Sequence, residues 1–507
     1  VLFQTLTKGL TFRQTVASLN AGAQTMHAIS ENDIIRRIQR DNPWWKDDKF
    51  EFRESAWPRR VYFDAFKELA LNFSVRRAAI LLGPRRVGKT FLIKQLISEA
   101  VAEGFDPKKI LYASIDTPVY SGVSLEKFLS LFESDEREGQ KIVIFDEIQY
   151  LAGWELHLKD LVDNYPEVKF IVTGSAAAAL RLKSQESGAG RFSEFILPPL
   201  TFAEFIRFVG KEDELLRPPK DNSSRGFFTT TAIEELNQHF IQYLNYGGYP
   251  EAVLNKDIRD NADQFIRNDI IDKVLLKDLP SLYGINEIQE LNRLFSFLAY
   301  NSGNEASLEK ISKGSGLAKP TIRKYIEYLE SAFLIMKLSH VDENCRSLQR
   351  ERNFKIYLTN PSMRSALFAP VDTTDNDGIG RLAESAIFSQ WQHGNGIKDL
   401  RYARWKNEGE VDIVYMSAAE QRPIWIVEIK WSDRISDHFG EVTKNLHHVV
   451  ERHKTVENAV ITTKTISAES KLNDTPLEIV PSSLYCYTVG RNATTRLRDR
   501  KLVKRPA

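Results

Sequence analysis

Short apolar runs alternate in the first half of the chain with stretches in which apolar residues recur every three or four positions. A short apolar run is typical of a strand buried on both faces, whereas the wider spacing is typical of an amphipathic helix. The predicted strands are 78–82, 110–115, 142–146, 170–174 and 195–197. This alternation predicts an α/β domain whose parallel sheet is covered by helices on both faces.

A glycine-rich segment follows the first predicted strand and leads into a predicted helix. It contains Gly83, Pro84, Arg85, Arg86, Val87, Gly88, Lys89, Thr90 and Phe91. Its first eight residues match the phosphate-binding P-loop pattern, in which backbone N–H groups wrap the phosphates. Lys89 is expected to reach the β- and γ-phosphates, and Thr90 to offer its hydroxyl to Mg²⁺. The whole segment is the predicted ATP-binding site.

Two carboxylates, Asp146 and Glu147, end the third predicted strand in a Walker B pattern. Asp146 is expected to hold Mg²⁺ through water, and Glu147 could polarise the water that attacks the γ-phosphate. Two solvated acids after a strand are the alternative, and the P-loop upstream favours the magnesium site. Hydrolysis, rather than binding alone, depends on Glu147.

Two further polar residues are candidates for this site. Ser175 follows the fourth strand and could sense the γ-phosphate or the attacking water, although a serine there also suits a helix N-cap. Arg191 follows a glycine-rich approach and could stabilise transition-state charge in cis or across a subunit interface, or simply brace the next strand. The interface alternative requires a homo-oligomer.

Length and charge limit the remaining possibilities. A chain of 507 residues suggests roughly three domains. Its 69 basic and 68 acidic residues give a net charge of +1, so nucleic-acid binding requires local patches such as the basic stretch from Arg491, which could equally be a solvated tail.

Cysteine content and hydropathy indicate a soluble, cytoplasmic protein. Two cysteines, Cys345 and Cys486, exclude a disulfide framework or a cysteine-built zinc site. No run approaches the 18 apolar residues that a membrane span requires. Residues 1–25 precede Met26 and begin like part of a protease-cleavage tag, so we interpret them as a tag or leader.

Several segments together resemble the prokaryotic AAA-type ATPases often called archaeal-type ATPases. The segments are the P-loop with its paired arginines, 42–45, 146–149, 173–175, 190–191 and 247–251. The resemblance covers most of the chain after Met26. It implies a P-loop ATPase core followed by a helical lid, a winged helix and a restriction-endonuclease-like α/β domain.

The resulting domain map has seven parts. They are the tag or leader (1–25), an N-terminal helical segment (26–60), the ATPase core (61–205), the lid (206–300), the winged-helix segment (301–360), a PD-(D/E)xK nuclease-like domain (361–490) and a basic tail (491–507).

The pattern of residues 308–331 predicts a helix, a turn and a second helix, so Lys319, Arg323 and Lys324 could face DNA phosphates. A winged helix that serves only for packing is an equal alternative.

A second set of chemical residues lies in two predicted adjacent strands, 411–415 and 424–430. Glu428 and Lys430 share one face of their strand, and Asp412 comes opposite the end of that strand if the two pair as a hairpin. Asp412 and Glu428 could then hold Mg²⁺ while Lys430 orients or deprotonates water.

This second set resembles the PD-(D/E)xK nuclease core. The resemblance adds Glu384 as an acid from the preceding helix, although Val411 stands where the strict pattern has proline. The alternative is a nuclease-like fold that serves as a scaffold and has ordinary salt bridges at its strand ends.

The leading hypothesis is an ATP- and Mg²⁺-dependent ATPase whose nucleotide state controls a nuclease-like domain acting on DNA. The alternative is a nucleotide-dependent switch that turns over slowly, or a protein that binds DNA or another partner, with an inert nuclease fold.

Overall fold

The computed structural model describes residues 30–47, 50–133, 139–174, 190–219, 226–342, 344–345, 353–405 and 409–499. The tag or leader, Ser175 and the end of the basic tail lie outside these residues.

A five-stranded parallel sheet forms the first part of the fold. Its strands are β1 (Ala78–Leu82), β2 (Ile110–Ser114), β3 (Lys141–Asp146), β4 (Val168–Gly174) and β5 (Phe192–Ile196). Their order is β2-β3-β4-β1-β5. Because all pairs are parallel, the carboxyl ends of β1, β3 and β4 meet at one edge, where polar side chains can converge.

Helices cover both faces of this sheet, as predicted. They are α1 (Glu31–Asp41), α2 (Phe63–Ala70), α3 (Lys89–Ala102), α4 (Leu125–Glu133) and α5 (Trp154–Asn164). Successive residues of β1 alternate between two hydrophobic cores: Leu81 packs with residues of α2 and α3, and Ile80 with residues of α1, α4 and α5.

A mostly helical region follows. It contains α6 (Phe202–Phe208), α7 (Glu212–Leu215), α8 (Ile233–Tyr246), α9 (Pro250–Leu254), α10 (Lys256–Arg259), α11 (Ala262–Phe265), α12 (Leu279–Tyr283) and α13 (Ile288–Tyr300). Between α11 and α12 the chain is π-helical over Ile266–Asp272 and Val274–Asp278. Such stretches are rare and frequently mark functional sites.

The second sheet is mixed and has nine strands. They are β6 (Glu305–Ala306), β7 (Ile335–Val341), β8 (Phe354–Leu358), β9 (Leu400–Arg404), β10 (Glu410–Met416), β11 (Pro423–Glu428), β12 (Asn458–Thr463), β13 (Ala468–Leu472) and β14 (Thr475–Pro481). Their order is β13-β14-β12-β11-β10-β9-β7-β8-β6. Since β7 pairs with β9, the segment around residues 301–360 shares one sheet with the C-terminal region.

The helices of this part are α14 (Leu308–Ser315), α15 (Lys319–Ser331), α16 (Ser362–Leu367), α17 (Asn376–Gln390), α18 (Phe439–Val442), α19 (Lys444–Arg452) and α20 (Ser482–Asp499). Helices α14 and α15 follow one another across Gly316, whose φ of 76° closes α14. This is the predicted helix, turn and helix, while a winged-helix role for it stays a prediction.

Short 3₁₀ helices complete the secondary structure. They span Pro43–Trp45, Arg53–Ala56, Pro107–Lys109, Pro118–Tyr120, Ile148–Tyr150, Trp391–His393, Asn395–Asp399 and Arg434–Ser436. Within the described ranges, we find no helix with the length and apolar character needed to cross a bilayer.

Candidate nucleotide-binding site and C-terminal acid cluster

The P-loop encloses its lysine. Lys89 begins α3, and its Nζ donates to the carbonyl oxygens of Gly83 at 3.0 Å and Pro84 at 2.8 Å. A Cβ on Gly83 would lie 2.2 Å from the carbonyl oxygen of Leu197, so only glycine fits there. Burial lowers the pKa of Lys89, although Glu147 opposes this effect. The ammonium is therefore positioned to exchange carbonyl partners for phosphate oxygens.

Asp146 is fixed by three hydroxyl groups. Thr90 and Tyr112 each donate to its Oδ2 at 2.8 Å, and Thr173 donates to its Oδ1. The residue is only 1% exposed. A hydroxyl and a carboxylate this close are a donor set that fits Mg²⁺ accompanied by nucleotide phosphates.

Glu147 adopts a left-handed backbone conformation, with φ of 54°. Its N–H donates to Thr173 Oγ1 at 3.2 Å, and its carboxylate accepts from Gln149 Nε2. Burial raises the pKa of Glu147, while Lys89 lowers it. A carboxylate with a raised pKa beside the P-loop is suited to accept a proton from water.

A cavity of about 430 Å³ runs past these groups, a volume typical of small-molecule sites. Its polar lining consists of Arg60, Arg85, Arg86, Gly88, Lys89, Thr90, Gln95, Asp116, Glu147, Glu251 and Lys273. Its apolar lining consists of Trp57, Pro58, Phe91, Leu92, Phe208, Pro250 and Leu254. The Trp57 and Phe91 rings lie 4.9 Å apart between centroids, so this end of the cavity offers flat apolar surface to a base.

The two P-loop arginines contact acids of the helical region. Arg85 binds both carboxylate oxygens of Asp278, at 2.6 and 2.7 Å. Arg86 binds Glu251 at 3.0 Å and Asp269 at 2.9 Å. Both arginines thus line the cavity while they tie the P-loop to α9 and to the π-helical stretch.

A buried arginine that sequence reasoning missed supports the P-loop from behind. Arg60 donates to the carbonyl oxygen of Val87 at 2.7 Å and to that of Pro198 at 2.9 Å. It also pairs with the buried Glu204 at 2.7 Å. Nothing in the sequence near Arg60 signals this role, because its partners lie 27 to 144 residues away.

The other predicted residues of this site are placed differently. Arg191 does not line the cavity; its Nε pairs with Asp163 at 3.0 Å, and its side chain is 43% exposed. This contact joins Arg191 to α5, and its predicted role as an arginine finger, in cis or across a subunit interface, stays a prediction. Ser175 lies outside the described residues, and Thr173, two positions earlier, makes the contacts to both acids.

The AAA domain model, AAA_14, matches residues 75–206, which contain all of β1 to β5. Residues 75–206 therefore contain an AAA domain, and the P-loop lies within it. Residues 237–375 match a model described as a domain of unknown function, DUF8612. The AAA domain thus supplies the predicted nucleotide-binding fold, while the second match names no activity.

Relatives with similar sequences are uncharacterized. One from Methanocaldococcus jannaschii is 22% identical over 356 residues, which are 69% of this chain and 74% of that protein. Another, from Haemophilus influenzae, is 27% identical over 271 residues, which are 52% of this chain and 62% of that protein. The structure of AMPPCP-bound DnaA from Aquifex aeolicus shows 15% identity and covers 57% of this chain and 92% of its own. Its TM-score is 0.27.

Beyond the AAA domain, the predicted nuclease-like residues do converge. In the hairpin of β10 and β11, Ile413 lies opposite Val427, so Asp412 and Glu428 meet. The N–H of Ile429 donates to Asp412 Oδ2 at 2.9 Å. Glu384, Glu410, Asp412 and Glu428 form what we call the acid cluster. Lys430 pairs with Glu428 at 2.7 Å.

A buried lysine that the sequence did not reveal lies among these acids. Lys355 Nζ is 2.9 Å from Glu384, 2.6 Å from Glu410 and 3.4 Å from Asp412. Across the described ranges, no group of three or more His, Cys, Asp or Glu side chains is arranged to hold a metal. The Mg²⁺ site predicted at Asp412 and Glu428 stays a prediction.

Proposed function

We propose that the AAA domain binds and hydrolyses ATP with Mg²⁺ and acts as a switch on the regions that follow it. The observation that carries this proposal is the Thr90–Asp146 hydrogen bond at 2.8 Å, with Lys89 and Glu147 lining the same cavity. These four groups are what phosphate binding, magnesium binding and water activation require.

Each residue would perform one step. Lys89 would move from the carbonyl oxygens of the P-loop to the β- and γ-phosphates, and Thr90 and Asp146 would hold the cation that neutralises the phosphate charge. A Mg²⁺ ion held there would supply the Lewis acid. Glu147 would accept the proton of the attacking water, and the Thr173 hydroxyl would hold Asp146 and Glu147 in position through its two hydrogen bonds.

Substitution of Glu147 tests hydrolysis separately from binding. Glu147→Gln is expected to bind ATP but to hydrolyse it poorly, because an amide cannot accept the proton. Lys89→Ala is expected to lose nucleotide binding. Glu126→Gln, on α4 and away from the cavity, is the matched control and should hydrolyse ATP normally. Normal hydrolysis by Glu147→Gln would show that our assignment of the base is wrong.

Nucleotide state would reach the helical region through the P-loop arginines. Phosphates that enter the cavity compete with Asp278, Glu251 and Asp269 for Arg85 and Arg86, because both kinds of anion bind guanidinium well. A ligand shifts a conformational equilibrium by its differential affinity for the two states. Release of these pairs would free the π-helical stretch to move.

We propose DNA as a partner on the strength of helix α15. Lys319, Arg323 and Lys324 are exposed there and line a surface groove together with Pro320 and Glu327. Exposed cations on such a helix suit phosphate contacts. Replacing the three cations by alanine should weaken DNA binding and reduce its salt dependence, measured by fluorescence anisotropy at several salt concentrations. Unchanged binding would remove this surface from consideration.

Nuclease activity is the second candidate, favoured by the convergence of Glu384, Asp412, Glu428 and Lys430. It predicts divalent-metal-dependent cutting of plasmid or single-stranded DNA that Lys430→Ala abolishes. The ion pairs of Lys355 with Glu384, Glu410 and Asp412 favour the other alternative, an inert nuclease-like fold that responds to the nucleotide state of the AAA domain. Cutting that Lys430→Ala leaves unchanged would remove the nuclease candidate.

A further inference from the structure

The acid cluster already contains a cation. Lys355 lies on β8 with a side chain only 3% exposed, and it pairs with carboxylates from α17 and β10. A lysine ammonium has three hydrogens to donate, and three acids lie within 3.4 Å of this one. A buried charge is stable only when it is paired in this way.

We propose that the Lys355 ammonium permanently occupies the cation position of the acid cluster, so that the cluster binds no divalent metal and instead fastens β8 to α17 and β10. The proposal is independent of ATP hydrolysis, because none of these residues lines the nucleotide cavity.

Most oxygens of the cluster already contact a cation or an N–H group. Mg²⁺ needs near-octahedral oxygen ligands at about 2.0–2.1 Å. Asp412 directs one oxygen to Lys355 and the other to the Ile429 N–H, and Glu428 directs one to Lys430. Among the described residues, only Oε2 of Glu428 is buried in this cluster without a partner. The Lys355 ammonium therefore stands where Mg²⁺ would have to gather its carboxylate ligands.

The contacts also explain what the cluster does. Strands β7 and β9 stand between β8 and β10 in the sheet order, so Lys355 joins strands that do not pair. Tyr357, two residues along β8, donates its hydroxyl to Glu384 on α17. The cluster therefore fastens the strands near the helix, turn and helix to the C-terminal region.

Manganese binding by the nucleotide-free protein tests the proposal directly. Titrations followed by electron paramagnetic resonance should give the same Mn²⁺ binding for the wild type and for Asp412→Asn. A wild-type site that Asp412→Asn abolishes would overturn the proposal. This comparison keeps Lys355 in place and so decides the question even if the next variant fails to fold.

Removal of the lysine provides the second measurement. Lys355→Met leaves buried carboxylates without their cation and should lower the thermal midpoint by roughly 5–10 °C. Mn²⁺ should restore much of this loss by entering the vacated position. Lys169→Met is the matched control, because Lys169 Nζ donates only to backbone carbonyl oxygens and its loss leaves no acids for a metal. A Lys355→Met protein that gains no more from Mn²⁺ than Lys169→Met would contradict the proposal.

Discussion

Thr173 positions both acids of the nucleotide site, and its replacement by valine should uncouple binding from hydrolysis. Its hydroxyl donates to Asp146 and accepts the Glu147 N–H at 3.2 Å. Valine preserves the branched shape and removes both hydrogen bonds. The P-loop contacts of Lys89, which involve Gly83 and Pro84, stay intact.

The expected magnitude follows from these two bonds. A hydrogen bond to a charged group contributes about 1.5–3 kcal/mol. Since about 1.4 kcal/mol corresponds to a tenfold change in rate, kcat should fall roughly 10- to 100-fold in Thr173→Val. The Kd for ATP should change by less than about threefold, because uniform binding is not altered.

Steady-state ATPase assays and a calorimetric titration with ATP would check this prediction. Thr173→Ser retains the hydroxyl and should keep most of the activity. Hydrolysis of ATP by Thr173→Val at the wild-type rate, or a loss of activity in Thr173→Ser as complete as in Thr173→Val, would contradict this role of the Thr173 hydroxyl.

Three other predictions concern the surroundings of the site. Trp57→Ala should weaken ATP binding roughly tenfold in a fluorescent-nucleotide titration, because stacking on a base contributes about 1–3 kcal/mol, while Trp57→Phe should bind nearly normally. Asp278→Asn should weaken the ion pair with Arg85, so hydrogen exchange of residues 266–283 should be faster without nucleotide and should change less when ATP binds. An unchanged ATP response would contradict a role of Arg85 in transmitting the nucleotide state. Burial lowers the pKa of His393 from 6.5 to about 3. At a pH between these two pKa values, His393 therefore binds a proton in the unfolded chain but not in the folded chain. The free energy of unfolding should consequently fall as the pH drops through about 6.5. Urea titrations from pH 5 to 8 should show a smaller fall for His393→Gln, and equal slopes would contradict this assignment.

Local patterns in the sequence were sufficient to predict the AAA domain. Strand β1 has its predicted bounds, 78–82, because all of its residues are buried and the apolar run is therefore continuous. Strand β5 begins at Phe192, three residues before the predicted start. It lies at the sheet edge with half-exposed residues, so it lacks the apolar run that marks a buried strand.

The partners of the site residues depend on folding and could not be read from local patterns. Parallel order brought a polar residue of β4 beside the Walker B strand, as expected, but Thr173 rather than Ser175 makes the described contacts. Arg85 meets Asp278 across 193 residues of chain. Lys355 is separated by 57 residues from Asp412, and an isolated lysine in a strand carries no sign of three acid partners.

The continuous nine-stranded sheet restricts how this protein could be shortened or recombined. A break near residue 360 would separate β7 from β9 and uncover a row of unpaired backbone N–H and C=O groups on each fragment. Such fragments would tend to associate with foreign strands rather than fold alone. Exchange of this part between related chains should therefore succeed only when everything from β6 to β14 is transferred together.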